Sequence, residues 1–337
     1  MAKIGIAVLG LGRMGMVHMK NVMQSPRASL KWIVRNDVKE AQRFVDTFSL
    51  PSRVTSPDNL GPVLEDPSVG AVIIASPSTE HADQIQACLG ANKAVFCEKP
   101  VTPDIESTGS CYDLAEKNNV PLFCAFQRRY DPSFRQMHDH IRSETFGQLR
   151  LLKGSSHDVS TPPPDYIRTS GGIFFDSTIH DLDLSLWMVG SKPSSIYACG
   201  NAFDPEVRKL GDLDLVNVTI KYENGVVSMI DNGRVSGAGY DQRLESHVIL
   251  QAKFDQGDLT VRNTSVNQLH SATSAPPMSP GFIGRYDEAY HLELKHFLDV
   301  MEGRTELEVT KHDTLSAMKL ARACRESLEK GAPVLLQ

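Results

Sequence analysis

A short apolar run, Ile-Gly-Ile-Ala-Val-Leu at residues 4–9, passes directly into Gly10-Leu11-Gly12-Arg13-Met14-Gly15 and then into a helical pattern over residues 16–23. No other stretch restricts the fold so strongly. A buried strand turning tightly into a helix start is the setting in which a G-x-G-x-x-G run can hold a pyrophosphate. The glycines let the backbone approach, and the first N–H groups of the helix are unpaired at the positive end of its dipole. A glycine turn without a ligand is the plainer reading. The context makes Gly10, Gly12, Arg13, Met14 and Gly15 candidates for dinucleotide binding and calls for a doubly wound parallel sheet.

In such a sheet an acidic residue about 20 positions after the third glycine takes the adenosine ribose hydroxyls. Here that position is Arg35, at the end of a strand pattern over 30–34. A guanidinium cannot accept those hydrogen bonds but pairs well with a 2′-phosphate, so the residue tilts the reading towards NADP over NAD. Asn36 and Asp37 remain within reach of the ribose. A helical stretch at 39–48 and a proline-marked loop lead to an apolar strand at 69–75. Its carboxyl end carries Ser76-Pro77-Ser78-Thr79-Glu80-His81. Ligands bind at that edge of a doubly wound sheet, which makes Ser76, Pro77 and His81 candidates for lining the cofactor; the alternative is helix capping by Ser78 or Thr79. The strand at 94–97 ends in Glu98-Lys99-Pro100 on the same edge, where the Lys99 ammonium is placed to donate to a substrate hydroxyl. A helix at 105–117 and a strand at 120–126 close the alternation, and a dinucleotide-binding domain is assigned to residues 1–126.

From residue 127 the rhythm changes. Long strands with period-two alternation, such as Val216-Asn217-Val218-Thr219-Ile220-Lys221-Tyr222, fill 148–158 and 196–262, and helices at 286–301 and 313–329 finish the chain. This predicts an α+β domain over 127–337 with a large, open, mostly antiparallel sheet. Within it, 171–183 reads as a helix entered through the pair Gly171-Gly172. Regular helical spacing places Asp176, His180, Asp183 and Trp187 on one stripe, and Phe175, Ile179, Leu182, Leu186 and Val189 on the side that packs. A carboxylate and an imidazole one turn apart suit proton transfer, which makes Asp176 and His180 candidates for chemistry. An amphipathic helix with its polar side in water explains the same pattern.

Composition bounds the partners. Net charge is -6 with no clustered basic patch, which argues against nucleic acid, and no apolar run reaches the length of a membrane span. The chain passes from Met1 straight into a strand, the pattern expected without a leader. Cys88, Cys97, Cys111, Cys124, Cys199 and Cys324 stand singly, without a C-x-x-C pair. They read as reduced core thiols of a cytoplasmic protein, and no metal site is expected.

Taken in order, Gly10-x-Gly12-x-x-Gly15, Glu98-Lys99-Pro100, Gly171-Gly172 with Asp176 and His180-Asp181-x-Asp183, and Gly239-Tyr240-Asp241-Gln242-Arg243 run through most of the chain. Together with Asp313, Ser327, Gly331, Pro333 and Val334, they resemble the family of glucose-fructose oxidoreductase, inositol dehydrogenase and rhizopine catabolism protein, and most of all its inositol 2-dehydrogenases. The resemblance implies reversible hydride transfer between a nicotinamide and a carbinol carbon of a cyclic polyol or sugar, with Lys99, Asp176 and His180 as the catalytic trio. It further implies that Arg128, His157 and Tyr240 face the substrate, while Asp181, Asp183 and Trp187 brace the helix. A homodimer or homotetramer built on the open sheet face is expected. Arg35 departs from the acidic residue common in inositol dehydrogenases, which leaves open an NADP-linked sugar or dihydrodiol reductase. The reading from another class is a catalytically silent NAD(P) sensor.

Overall fold

The computed structural model describes residues 3–158, 161–234, 247–262 and 281–336. The chain forms two compact units, Met1–Phe126 with Tyr290–Leu315, and Gln127–Ala289 with Ser316–Gln337. The first is built on six strands, β1 (Ile4–Leu9), β2 (Ala28–Val34), β3 (Arg53–Thr55), β4 (Ala71–Ile74), β5 (Ala94–Glu98) and β6 (Leu122–Ala125). They pair in parallel in the order β3-β2-β1-β4-β5-β6. Every residue of β4, β5 and β6 is buried, as a parallel sheet covered on both faces requires. The order reverses between β1 and β4, so the Gly10–Gly15 turn, Ser76 and Lys99 leave neighbouring strands at one carboxyl edge. β3 is an addition to the sequence reading, which had only a loop there. Its three residues are too short to show a period.

Residues 290–315 correct the expected division of the chain, because the reading by rhythm placed everything after 126 in the second domain. Phe297 packs with its ring 5.6 Å from Phe96 and 5.9 Å from Phe123, on β5 and β6. The helix Gly281–Met301 thus lends its second half to the core of the parallel sheet. Periodicity finds a helix but does not say which sheet it covers.

That half also buries Glu293 completely, with neither carboxyl oxygen hydrogen-bonded among the described residues. Burial, and after it the charge of Glu98, raises this carboxyl well above its ordinary value, so it is held in its protonated form. A raised acid binds a proton that the unfolded chain releases, so stability declines as pH climbs from the unfolded value near 4.5 through the folded one. Glu293→Gln therefore gains about 1–3 kcal/mol over the parent at pH 8 and much less at pH 5, measured by urea unfolding. An equal difference at both pH values would show that no proton is stored there.

The second unit carries β7 (Leu149–His157), β8 (Pro193–Asn201), β9 (Leu215–Tyr222), β10 (Val227–Gly233), β11 (His247–Phe254), β12 (Asp258–Arg262) and β13 (Val334–Leu335). They form one sheet in the order β12-β11-β7-β10-β9-β8-β13, in which only the β7–β10 pairing is parallel. β9 alternates strictly, with Val216, Val218, Ile220 and Tyr222 buried and Asn217, Thr219 and Lys221 exposed. The helix Ile179–Val189 packs on the buried face, where the Ser185 hydroxyl lies 2.7 Å from both Tyr222 Oη and Ser228 Oγ. The opposite face leaves Tyr197 and Met229 exposed. Cys199 points out on that face too, which corrects the expectation that all six thiols are buried. The fold class is thus a Rossmann unit joined to an α+β unit with a mostly antiparallel sheet.

Candidate functional site

In the first unit the candidate cofactor site is the β1 turn. Gly10 has φ +84°, and a Cβ there would meet Ala75 O at 2.6 Å; at Gly15 it would meet Gly10 O at 1.9 Å. These two glycines are required by the packing of strand against helix. Gly12 differs, since a Cβ built on it meets nothing within 4 Å. It caps the helix Arg13–Gln24 without any side-chain bond, whereas Asp37, Asp104 and Asp131 each cap their helices with a carboxylate. An open approach to uncapped N–H groups fits a pyrophosphate. Arg13 and Met14 form the first turn of that helix.

At the end of β2, Arg35 pairs with Glu40 Oε2 at 2.8 Å, Asn36 is exposed, and Asp37 accepts from Glu40 N at 2.8 Å as a helix cap. Asp37 is therefore committed to the helix. Along the next loops Ser76, His81 and Glu98, the last of which the family resemblance also assigns to the cofactor together with Lys99, each make contacts within the protein. His81 is buried with its nitrogens 3.0 Å from Pro100 O and 2.9 Å from Ser76 O, so it ties two loops together. Burial pushes its pKa down, against the pull of those two carbonyls. Ser76 spends its hydroxyl on Gln84 Oε1 at 2.6 Å. Glu98 is buried under the edge, with Oε1 2.6 Å from His18 Nε2 and Oε2 accepting Lys99 N at 3.3 Å. Burial raises the Glu98 carboxyl, but the imidazole and the Lys99 charge outweigh it and hold it below the ordinary carboxylate value. Pro77 opens the turn Ser78–Glu80, and among the described residues no side-chain hydrogen bond caps that turn or the helix His81–Gly90 that follows it. Lys99 itself is half-buried and joined to Pro100 by a cis peptide.

In the second unit, 171–183 is not the regular helix that its spacing suggests. Gly171 and Gly172 take φ +82° and +87°, residues Phe174–Thr178 form a π turn, and the α-helix begins at Ile179. A π turn takes more residues than an α turn, so the spacing along this segment departs from that of a regular α-helix. Nor does the polar side face water. Asp176, Asp181 and Asp183 are buried, each against an arginine. Asp183 Oδ1 is 2.6 Å from Arg129 Nη2. Asp181 pairs with Arg128, whose other arm donates to Ser156 Oγ at 2.8 Å. Burial disfavours the Arg128 charge, yet the Asp181 carboxylate overrides it and keeps the guanidinium protonated. Both terminal nitrogens of Arg128 thus hold protein atoms. Trp187 stacks on His138 at 4.0 Å, in a packing role.

Asp176 accepts from Tyr166 Oη at 2.6 Å on one oxygen and from Arg234 Nη1 at 2.9 Å on the other. Arg234 is fully buried, and its second arm reaches Asp212 Oδ2 at 2.8 Å. Asn232, also fully buried, donates to Ser156 O at 3.1 Å and Ser177 Oγ at 3.1 Å and accepts from Thr178 Oγ1 at 2.9 Å, pinning the π turn to β7 and β10. His180, half-buried, follows that pinned turn. His157 Nε2 lies 2.9 Å from Asp231 Oδ2, over Gly233, where a Cβ would meet His157 Nδ1 at 2.7 Å. Tyr240 and the whole 239–243 run lie outside the described residues. Tyr166, Arg234, Asn232 and His18 carry no motif, and only a charged or amide residue at the end of an apolar strand hints at Asn232 and Arg234. Among the described residues no group of His, Cys, Asp and Glu is placed to hold a metal, and no helix is long and apolar enough to cross a membrane.

Comparison with known proteins places this geometry. Residues 4–126 match the model of an oxidoreductase family with an NAD-binding Rossmann fold, and residues 134–248 match the GFO/IDH/MocA C-terminal domain. The chain is 33% identical to a myo-inositol 2-dehydrogenase of Thermotoga maritima over 98% of both chains. Its fold is similar to that of a myo-inositol dehydrogenase from Corynebacterium glutamicum, with TM-score 0.87, 31% identity and 99% of each chain covered. It is similar as well to scyllo-inositol dehydrogenase from Lactobacillus casei with bound NAD(H) and scyllo-inositol, with TM-score 0.84, 25% identity and 99% of each chain covered. The chain belongs to the GFO/IDH/MocA family of NAD-binding oxidoreductases.

Proposed function

We propose that this chain is an inositol dehydrogenase, oxidising a ring carbinol of a cyclic polyol and returning the hydride in the reverse direction. The observation that carries the reading is similarity along the full chain to relatives named for inositol, joined to an uncapped glycine turn on β1 and a braced Asp176 before His180. The nicotinamide dinucleotide, when bound, supplies the hydride acceptor or donor. For its part the protein moves a proton and fixes the ring. In one assignment His180 takes the hydroxyl proton and Lys99 hydrogen-bonds the same oxygen; in the other these two exchange roles. Asp176 accepts from a neighbouring hydroxyl, and His157 and Tyr240 are assigned to further hydroxyls by the family pattern. The open face of the second sheet, with Tyr197 and Met229 exposed, is assigned to pairing with further copies of the chain.

The test is initial rates of NAD and NADP reduction over myo-inositol, scyllo-inositol, glucose and xylose. Turnover of an inositol supports the reading; no turnover of any polyol by protein that still binds a dinucleotide overturns it. Arg35 favours a second reading, an NADP-linked reductase of a sugar or dihydrodiol. Its pair with Glu40 is solvent-exposed and therefore weak, so the guanidinium can exchange that carboxylate for a 2′-phosphate. Arg35→Ser is expected to cost about 10-fold in kcat/KM with NADP, the worth of one charge-assisted contact, and to change NAD little. Equal losses with both cofactors would remove Arg35 from cofactor choice.

A further inference from the structure

Asp176 is gripped by two donors of different kinds. Arg234 is wholly enclosed and shared with Asp212, a fixed brace. Tyr166 is 41% exposed, yet its hydroxyl lies 2.6 Å from Asp176 Oδ1. It stands on the six-residue helix Pro164–Thr169, whose one buried side chain, Ile167, anchors that helix against Ala202, Val207 and Leu210. The anchor leaves the tyrosine ring at the surface with its polar tip turned inward onto a buried carboxylate. A phenol hydroxyl facing a carboxylate at this distance makes a charge-assisted hydrogen bond, and with Arg234 on Oδ2 it holds the carboxyl group at both oxygens.

We propose that Tyr166 is a positioning residue for the polyol, acting through Asp176. This rests on the reading of Asp176 as an acceptor of a substrate hydroxyl. Tyr166 donates to Oδ1 and so sets the direction in which the Asp176 carboxylate faces the ring hydroxyl beside the reacting carbon. Without the phenol hydroxyl the carboxyl group rotates and the ring is held out of line, a misplacement that costs rate more than affinity for the dinucleotide.

The experiment is a double-mutant cycle on the full chain, with Tyr166→Phe, Asp176→Asn and the pair, read as kcat and KM for inositol and as dinucleotide Kd. The expected result is a loss of about 10-fold in kcat/KM from Tyr166→Phe, with dinucleotide Kd unchanged. In the Asp176→Asn background the same change costs less than about 2-fold, because the carboxylate it orients is gone. Multiplying losses, or no loss from Tyr166→Phe where Asp176→Asn is crippling, overturn the role of Tyr166 and leave Asp176 standing. Full activity of Asp176→Asn overturns the reading of Asp176 itself, and this inference with it. A second cycle needs only the conservative phenylalanine variant and a deoxy-inositol lacking a hydroxyl next to the reacting carbon. There the Tyr166→Phe deficit shrinks to less than about 2-fold, and an undiminished deficit overturns the proposal.

Discussion

Lys99→Ala is expected to slow polyol oxidation by about 10²–10⁴-fold while leaving the dinucleotide affinity within about 2-fold. The large effect follows from what the change removes and what it leaves. Lys99 is held by its backbone: its N–H donates to Glu98, Glu98 is locked by His18, and the carbonyl of Pro100 is engaged by His81. Those contacts use none of the atoms of the ammonium, so they still hold the loop when the side chain is truncated. The glycine turn lies on β1, two strands away in the sheet order, and keeps its geometry. A fluorescence titration with NADH reports binding, and single-turnover rates report the chemistry. Loss of both in parallel would assign Lys99 to the cofactor alone; unchanged turnover would remove it from the reaction.

Arg234→Met is expected to destabilise the fold by about 3–5 kcal/mol, the cost of leaving a buried charge without its partner. Arg234 is fully buried and joins Asp176, on the π turn, to Asp212, which also accepts the Ile173 backbone N–H at 3.0 Å. Methionine fills the stem but satisfies neither carboxylate. The double variant Arg234→Met/Asp212→Asn recovers part of the loss because one of the two stranded charges is neutralised. Urea unfolding checks both. A single variant within about 1 kcal/mol of the parent would mean that solvent reaches these carboxylates and that the ion pairs contribute as surface pairs do.

The glycines, the Lys99 loop and the change from alternating helices and strands to period-two strands were legible because each is a local constraint. Gly15 must be glycine because the Gly10 carbonyl crowds it within one turn; Gly10 takes φ +84° there and is crowded in addition by Ala75 after β4. Long strands declare their buried face every second residue, as β9 does. The helix at 286–301 was legible as a helix, but its stretch from Tyr290 onward was assigned to the wrong unit. Phe297 finds Phe96 and Phe123 about 170 to 200 positions away, and periodicity carries no address.

The 171–183 segment divides the two kinds of information most clearly. Its sequence alone determined that a glycine pair opens a helical element bearing Asp176 and His180, and that Phe175, Ile179, Leu182 and Val189 pack, while Leu186, expected with them, is only half-buried. Only the tertiary structure decided that the element begins with a π turn and that its acidic side is buried, because those outcomes depend on arginines supplied from elsewhere. Arg128 and Arg129 follow β6, and Arg234 follows β10, so a spacing rule within the segment cannot see them. A carboxylate without a partner stays in water, whereas one that meets a guanidinium can be buried. The choice between those states is made by the fold that brings the partners together.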